Sequence, residues 1–466
     1  MRVLLIQTSE REGYGRMKGL VVAAVPLGIL YIASAIREKR KDYVKILDLQ
    51  VVDKPLDQLN ILKEEWDVVG ITAMSMMFKN ARNIAEYIKK IHPDTITILG
   101  GSHATSAPFE DLEKANEFDY LVIGEGEETI VELLNTIEKN ESITKLEGIA
   151  YWKDKLIKNP LRKLINDLDS LQFPAYDLVN INDYSHPVQL RKPMALMLTS
   201  RGCPGMCTFC SKSVFGRTLR LRSAKNVCDE IEMLIKNYGV KEIRFVDESF
   251  TVIKSHVDEV CKEIIKRKIN IAWVCSLRAD KNDLETFKLM KKAGCYAVNI
   301  GAESGNQDML YCIKKMVTLQ QIKETVERAH KTGLKTLTYF IIGFPNDTKE
   351  TIMDTINFAR SIKSDVVKFG IFTPLPGSEL FNKLRSEKRL FHYDWNKYQF
   401  HNDPVYNLDY LTHKELFKLY KKAYFVVYTN PSMIWRNIKR TLSSFVTFRH
   451  NLHVGFTMVK MLLKKD

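Results

Sequence analysis

Cysteine is absent from the first 202 residues of the 466-residue chain, although eight cysteines follow. The N-terminal part therefore has no thiolate with which to bind a metal cluster or form a disulfide. No secretory signal is expected either, because Met1 leads directly into a strand-like run, Val3–Gln7. We expect a cytoplasmic protein whose cysteines are reduced thiols or metal ligands.

Long hydrophobic runs are scarce as well. The one membrane-like stretch, Leu20 to Ile36, is short for a span, contains Pro26 and Gly28, and precedes basic residues. It predicts a loop followed by a buried helix that begins near Pro26, rather than a transmembrane segment.

Acidic residues are outnumbered, with 56 Asp and Glu against 70 Lys and Arg and a net charge of +14. Much of this charge lies in Lys/Glu pairs typical of a solvated surface, and we expect no nucleic-acid partner. The segment after Pro431 is less balanced and also contains Trp435, Ile438 and several phenylalanines. It predicts either peripheral membrane contact or a packed capping helix with a solvated basic face. Its basic residues are Arg436, Lys439, Arg440, Arg449, Lys460, Lys464 and Lys465.

The length predicts two or three domains. Residues 1–140 alternate strand and helix and predict a doubly wound parallel sheet, which binds ligands at the carboxyl ends of its strands. A connector is predicted over 141–190, a partial (β/α)6 barrel over 191–380 and a helical region over 381–466. The six barrel strands are predicted at Ala195–Thr199, Glu242–Val246, Ile271–Cys275, Ala297–Ile300, Thr336–Ile342 and Val367–Thr373.

Three cysteines with the spacing C-x3-C-x2-C follow the first predicted barrel strand, at Cys203, Cys207 and Cys210. A structural zinc site needs four closed ligands, whereas three thiolates leave one iron of an iron–sulfur cluster open. The other five cysteines form no C-x2-C pair and are predicted to be buried, small apolar residues. They are Cys228, Cys261, Cys275, Cys295 and Cys312.

This loop resembles the signature of the radical S-adenosylmethionine superfamily. The resemblance implies a 4Fe-4S cluster whose open iron binds the amino and carboxylate groups of S-adenosylmethionine. One electron, from a reductant such as ferredoxin or flavodoxin, would cleave that cofactor to methionine and a 5′-deoxyadenosyl radical. By the same resemblance, the residues that contact the cofactor are Phe209, Ser276, Arg278, Gly301, Glu303, Ser304 and Gly343.

Small residues also end three strands of the first domain, where they let a large flat ligand approach the backbone or merely form tight turns. The domain resembles the cobalamin-binding domain of one radical subclass. The residues that carry the resemblance or would line the ligand are Pro26, Gly28, Thr72, Ser75, Gly100, Gly101, Gly124 and Gly126. The D-x-H-x-x-G loop of some cobalamin proteins is absent, so no axial histidine is expected from that loop. His103, near a strand end, is expected to be a surface or hydrogen-bonding residue.

The two resemblances together imply a cobalamin-dependent radical methyltransferase that acts on an unactivated carbon through methylcobalamin. An oxidative or ring-forming enzyme similar to the anaerobic tetrapyrrole cyclases stays open, and a non-catalytic corrin or cluster carrier is the third alternative. A tRNA methylthiotransferase is excluded, because that family needs three further N-terminal cysteines. The substrate is expected to be a small molecule or a lipid.

Overall fold

The structure, a computed structural model, describes residues 1–9, 23–51, 57–186, 189–391, 393–431 and 433. The aromatic and basic residues that follow Met433 lie outside this part of the chain, so both interpretations of that segment stay predictions. None of the helices in the described part has the length and apolar character needed to cross a membrane.

Seven strands form the first sheet in the order β2-β1-β3-β4-β5-β6-β7. Their bounds are β1 Arg2–Gln7, β2 Tyr43–Asp48, β3 Val68–Thr72, β4 Ile96–Gly100, β5 Tyr120–Val122, β6 Ile149–Trp152 and β7 Leu156–Lys158. Strands β1 to β5 are parallel, and their order reverses between β1 and β3, where doubly wound sheets bind ligands. The two strands of the predicted connector range pair antiparallel and extend this sheet.

Helices cover both faces of this sheet. They are α1 Leu27–Arg40, α2 Phe78–Ile91, α3 Ser102–Ser106, α4 Phe109–Leu112 and α5 Glu127–Glu138. Leu4 belongs to the same buried cluster as the apolar side of α2, whereas Val3 and Leu5 belong to a second cluster with α1 and α5. Burial on both faces explains why the strands read as continuous apolar runs. Helix α1 begins one residue after Pro26, which confirms the buried helix predicted there.

The second sheet contains six parallel strands in the order β15-β14-β13-β12-β11-β8, which confirms the partial barrel. Its strands are β8 Met194–Met197, β11 Glu242–Phe245, β12 Ala272–Leu277, β13 Cys295–Glu303, β14 Lys335–Ile342 and β15 Val366–Ile371. A separate antiparallel pair, β9 Ser200–Arg201 and β10 Arg220–Leu221, brackets the cysteine loop. The outer helices are α6 Ala224–Tyr238, α7 Lys254–Lys266, α8 Leu284–Lys292, α9 Gln307–Cys312, α10 Leu319–Lys331 and α11 Lys349–Ser361.

Two further helices follow the barrel, α12 Glu379–Ser386 and α13 His413–Tyr428. Two tyrosines one turn apart on α13 bond to the backbone of edge strand β15. The Tyr424 hydroxyl lies 3.2 Å from the amide nitrogen and 2.9 Å from the carbonyl oxygen of Phe369. Tyr428 makes the equivalent pair of contacts with Val367, at 3.3 and 2.7 Å. Helix α13 therefore caps the open edge of the partial barrel, which would otherwise expose unpaired backbone groups.

Candidate cluster and corrin site

The cysteine loop follows β8, and hydrogen bonds to Asp247 hold its start in place. Asp247, which follows β11, is buried, and one of its carboxylate oxygens accepts hydrogen bonds from the Thr199 amide and from the Thr199 and Ser200 hydroxyls at 2.5–3.0 Å. Burial raises the pKa of Asp247. At the far end of the loop, Phe209 packs edge-on against Phe344 with ring centroids 5.7 Å apart. Asp247 therefore holds the start of the loop rather than facing the site with both oxygens.

Cations surround the three thiols. Arg278 Nη1 lies 3.8 Å from Cys207 Sγ, and Lys212 Nζ is buried without a hydrogen-bond partner among the described residues. A Cβ built on Gly205 would lie 3.1 Å from Arg278, 3.4 Å from Cys203 Sγ and 3.6 Å from Lys212 Nζ. Positive charge at this distance would balance the negative charge of a cluster held by thiolates, although burial raises the pKa of the free Cys210 thiol to about 11.

The donor set fits an iron–sulfur cluster. Cys203 and Cys207 are half-buried and Cys210 is exposed, so none of the three is sealed in the core. No three His, Cys, Asp or Glu side chains in the described part of the chain converge on a position for one metal ion. The thiolates of a multi-iron cluster bind different irons and need no such common point. Cys203, Cys207 and Cys210 would hold three irons and leave the fourth open.

Glu303, predicted to contact the cofactor, has an internal partner that the sequence does not reveal. Its Oε1 lies 2.7 Å from Lys315 Nζ, and both side chains are buried. Arg278 reaches the same place, because its Nη2 donates to the Lys315 carbonyl at 2.8 Å. Glu303 has a φ of 63°, which is unusual for a non-glycine residue and common at functional sites. An ammonium group therefore already occupies one side of the Glu303 carboxylate.

Four other residues were predicted to contact S-adenosylmethionine: Gly301 and Ser276 lie near the Glu303–Lys315 pair or a strand end, whereas Ser304 and Gly343 contact other parts of the protein. Gly301 lies directly beneath the Glu303–Lys315 pair, and Ser276 is half-buried at the end of β12. Gly301 and Glu303 lie within β13 rather than after it. Ser304 is buried and bonded to the Asn306 amide and the Thr355 hydroxyl. Gly343 has a φ of 83° and packs against Leu416 of α13. For Ser304 and Gly343 the structure shows internal contacts.

A cavity of about 180 Å³ lies at the carboxyl ends of the first sheet. It is bordered by Gly28, Thr72, Gly100, Gly101, Gly124 and Gly126 from the first domain and by Leu198, Arg201, Val214 and Phe215 from the second. A Cβ added to Gly28 or Gly100 meets nothing within 4 Å, so both glycines leave open space. Because the glycines expose backbone to this space, the cavity fits the face of a large flat ligand such as a corrin.

Pro26 and Ser75, which were predicted for the cobalamin site, do not line this cavity. Pro26 is the residue before α1, and the Ser75 hydroxyl lies 3.0 Å from His103 Nδ1. His103 is completely buried between Phe78 and Trp395, and burial lowers its pKa to about 3. The expectation of a hydrogen-bonding histidine is confirmed.

Sequence reasoning missed the ion-pair network that joins the two domains. Glu125 and Glu127 lie between and beside the predicted corrin-facing glycines, and they pair with Arg201 at 2.8 and 2.6 Å. Arg220 also pairs with Glu125 at 2.6 Å, and the Arg201 guanidinium stacks 5.0 Å from the ring centre of Tyr31 on α1. All four charged side chains are at most 8% exposed. Arg201 is two residues from Cys203, so this network fixes the cluster loop to the first domain.

The other cysteines differ from the prediction at one position. Cys228, Cys261, Cys275 and Cys295 are buried, as expected. Cys312 is exposed, so that prediction is wrong. It is the last residue of α9, where its sulfur lies 3.0 Å from Asn346 Nδ2 instead of packing inward.

Comparison with known proteins assigns the chain to a family. Residues 197–359 match the radical SAM superfamily, and residues 21–134 match the B12 binding domain. The chain is 34% identical to an uncharacterised methyltransferase of Pyrococcus horikoshii, over 94% of this chain and 95% of that protein. The chain belongs to the radical SAM superfamily, in the subclass with a B12-binding domain. It is an enzyme whose cofactors are a 4Fe-4S cluster, S-adenosylmethionine and cobalamin.

Two further relatives bear on its fold and reaction. The chain is 31% identical to the anaerobic magnesium-protoporphyrin IX monomethyl ester cyclase of Rubrivivax gelatinosus, over 86% of this chain and 72% of that protein. The fold is similar to the radical S-adenosylmethionine methyltransferase TsrM from Kitasatospora setae, solved with cobalamin and a 4Fe-4S cluster bound. That comparison gives a TM-score of 0.67 at 19% identity, over 83% of this chain and 74% of the other. A small-molecule substrate and a reductant are typical of the superfamily.

Proposed function

We propose that this enzyme transfers a methyl group to an unactivated carbon of a small-molecule substrate. The observation that carries the proposal is the buried Arg201–Glu125–Glu127 network, which fixes the cysteine loop beside the glycine-lined cavity. When bound, the cluster supplies an electron that cleaves S-adenosylmethionine, and the cobalamin supplies a carrier for a methyl group. Methyl transfer needs the radical site and the methyl carrier to face one substrate. A rigid contact between the domains keeps these two sites at a fixed distance and orientation.

The protein's own residues bind and orient. Cys203, Cys207 and Cys210 would hold the cluster, with Arg278 offsetting its charge. The second oxygen of Glu303 would accept from the amino group of S-adenosylmethionine, since charge-assisted hydrogen bonds favour a carboxylate there. Gly28 and Gly100 would border the corrin.

The test separates methyl transfer from other radical chemistry. The chain would be reconstituted anaerobically with iron, sulfide and hydroxocobalamin, then given S-adenosylmethionine and titanium(III) citrate. We expect both S-adenosylhomocysteine, which reports loss of the methyl group, and 5′-deoxyadenosine, which reports radical formation. A Cys207→Ala control should lose 5′-deoxyadenosine. Absence of S-adenosylhomocysteine would contradict the proposal.

A ring-forming or oxidative reaction is the second candidate, favoured by the 31% identity to the magnesium-protoporphyrin cyclase. In that reaction 5′-deoxyadenosine forms without S-adenosylhomocysteine, so the same experiment distinguishes the two.

We further propose a ferredoxin or flavodoxin as the reductant. The net charge of +14 favours encounter with an acidic protein. A reduced flavodoxin in place of titanium(III) citrate should support 5′-deoxyadenosine formation at a rate that falls as salt is added. A rate independent of salt would contradict an electrostatic encounter.

A further inference from the structure

The interior of the barrel is lined by alternate residues of its strands. On β14 and β15, Phe340 and Phe369 point outward, against Phe358 of α11 and Tyr424 of α13. Their neighbours Tyr339 and Lys368 therefore point inward, because successive side chains of a strand face opposite sides. Both are only partly buried, although β14 is an inner strand and α13 covers β15. The interior is therefore not completely filled around these two side chains.

Arg244 on β11 points into the same interior, and one nitrogen of its guanidinium has no hydrogen-bond partner among the described residues. Its outward neighbours Ile243 and Phe245 are buried, and Phe245 stacks on Phe250. The Arg244 side chain is 8% exposed, and the nitrogen in question is Nη1. A guanidinium nitrogen left unpaired away from water is costly.

Lys368 is the second cation of this interior. Within the described part of the chain it forms neither a hydrogen bond nor an ion pair, and its ammonium lies 5.8 Å from the ring centre of Tyr339. Burial lowers the pKa of Lys368, and the charge of Arg244 lowers it further. Two cations thus face one interior and repel each other.

The charged neighbours neutralise this pair only in part. Glu242 forms a long ion pair with Arg244 at 4.0 Å, and its oxygens also accept from the Leu190 and Arg191 amides and from the Tyr296 hydroxyl, so one carboxylate faces two cations. Glu303 is paired with Lys315. His401 is held near Tyr420 at 2.8 Å, and burial and the charge of Lys368 lower its pKa. The interior therefore has an excess of positive charge.

We propose that Arg244 and Lys368 bind an anionic group of the substrate, a carboxylate or a phosphoryl group, inside the barrel; this assignment of substrate class rests on the proposed function. A carboxylate or phosphoryl oxygen would accept from the guanidinium and from the ammonium. It would also remove the repulsion between the two cations.

The experiment measures anion binding without turnover. The cluster-reconstituted full chain would be melted anaerobically in increasing inorganic phosphate, and separately in succinate, with ionic strength held constant by sodium chloride. We expect a saturable rise of the melting temperature with at least one anion. Arg244→Gln and Lys368→Gln should each weaken the apparent affinity by about tenfold or more, because each removes a charge-assisted hydrogen bond.

Matched variants exclude a general salt effect and a purely structural role. Lys335→Gln, at the exposed start of β14, should keep the full response. Lys368→Gln should melt no lower than wild type without anion, because it removes a partly buried cation that has neither a hydrogen bond nor an ion pair among the described residues. An anion response unchanged in both Arg244→Gln and Lys368→Gln, or no saturable response in wild type, overturns the inference. Formation of S-adenosylhomocysteine is scored separately, so failure of the anion site and failure of methyl transfer are distinguishable.

Discussion

At the scale of single residues, the three cluster cysteines differ from the other five in their surroundings. Arg278 and Lys212 lie beside them, whereas Cys228, Cys261, Cys275 and Cys295 are buried. Burial raises the pKa of Cys228 to about 12, so that residue stays a thiol at neutral pH. The neighbouring cations therefore distinguish the loop cysteines from the four buried ones.

Cys207→Ala should abolish the cluster, because two remaining thiolates are too few to hold it. Iron and sulfide analysis with electron paramagnetic resonance measures the result. Cys312→Ala is the matched control, since Cys312 is exposed but outside the loop. Equal iron content in the Cys207→Ala protein and wild type would defeat the assignment.

Gly100 is a cleaner probe of the corrin cavity than Gly101. A Cβ on Gly101 would lie 2.6 Å from Thr72 Oγ1 and 3.0 Å from the Ala73 carbonyl, so any substitution there strains the loop itself. Gly100 has free space and lines the cavity. Gly100→Leu should keep the fold and lose hydroxocobalamin in gel filtration, whereas Gly100→Ala should keep it. Retention of the corrin by Gly100→Leu would place the corrin elsewhere.

At the scale of elements, the edge of the barrel depends on two hydroxyl groups of α13. Tyr424→Phe or Tyr428→Phe would leave a buried amide and a carbonyl of β15 unpaired, at a cost of about 1–3 kcal/mol each. Urea unfolding measures the change. Tyr410→Phe, at a 67% exposed tyrosine, is the control and should cost little. Equal stability of all three variants would show that α13 does not cap this edge.

The sequence predicted elements well and their long-range partners poorly. Strand runs such as Val3–Gln7 and Thr336–Ile342 lie within one residue of β1 and β14, because burial imposes an apolar pattern on consecutive residues. The cysteine spacing identified the cluster loop because all three ligands lie close together in the sequence. The partners of Glu125 and Glu303 were not predictable, since Arg201 is 76 residues away and Lys315 follows helix α9, 12 residues along the chain. The pairing of Tyr424 and Tyr428 with strand β15 was not predictable either.

At the scale of the whole molecule, Arg201 joins the two domains. Arg201→Leu would leave Glu127 buried without its partner and Glu125 with only Arg220, and breaking such buried pairs costs about 3–5 kcal/mol. Arg37→Leu is the matched control. Its ion pair with Asp177 at 2.7 Å is about half exposed and should contribute less than about 1 kcal/mol. Guanidinium unfolding compares the two, and a loss no greater in Arg201→Leu would contradict the role of the network.

The stability of the molecule should also fall in acid through His103. Burial lowers its pKa to about 3, so below pH 6.5 the unfolded chain binds a proton that the folded chain does not. The free energy of unfolding then falls by about 1.4 kcal/mol for each pH unit between about 6 and 4 from this group alone. Other titrating groups, such as His256 with its pKa lowered to about 4, act equally in wild type and variant. His103→Gln should therefore reduce the pH slope by that amount.

Denaturant unfolding at pH 4, 5, 6 and 7 measures this slope. His92→Gln, on the same domain but only partly buried, is the control for losing an imidazole. The absolute stability of His103→Gln is not the readout, because the amide must replace the contacts with Ser75, Phe78 and Trp395. Only the change of the free energy of unfolding with pH reports proton binding at His103. A slope equal to that of wild type would mean that the folded protein also takes up a proton at His103, and would contradict this prediction.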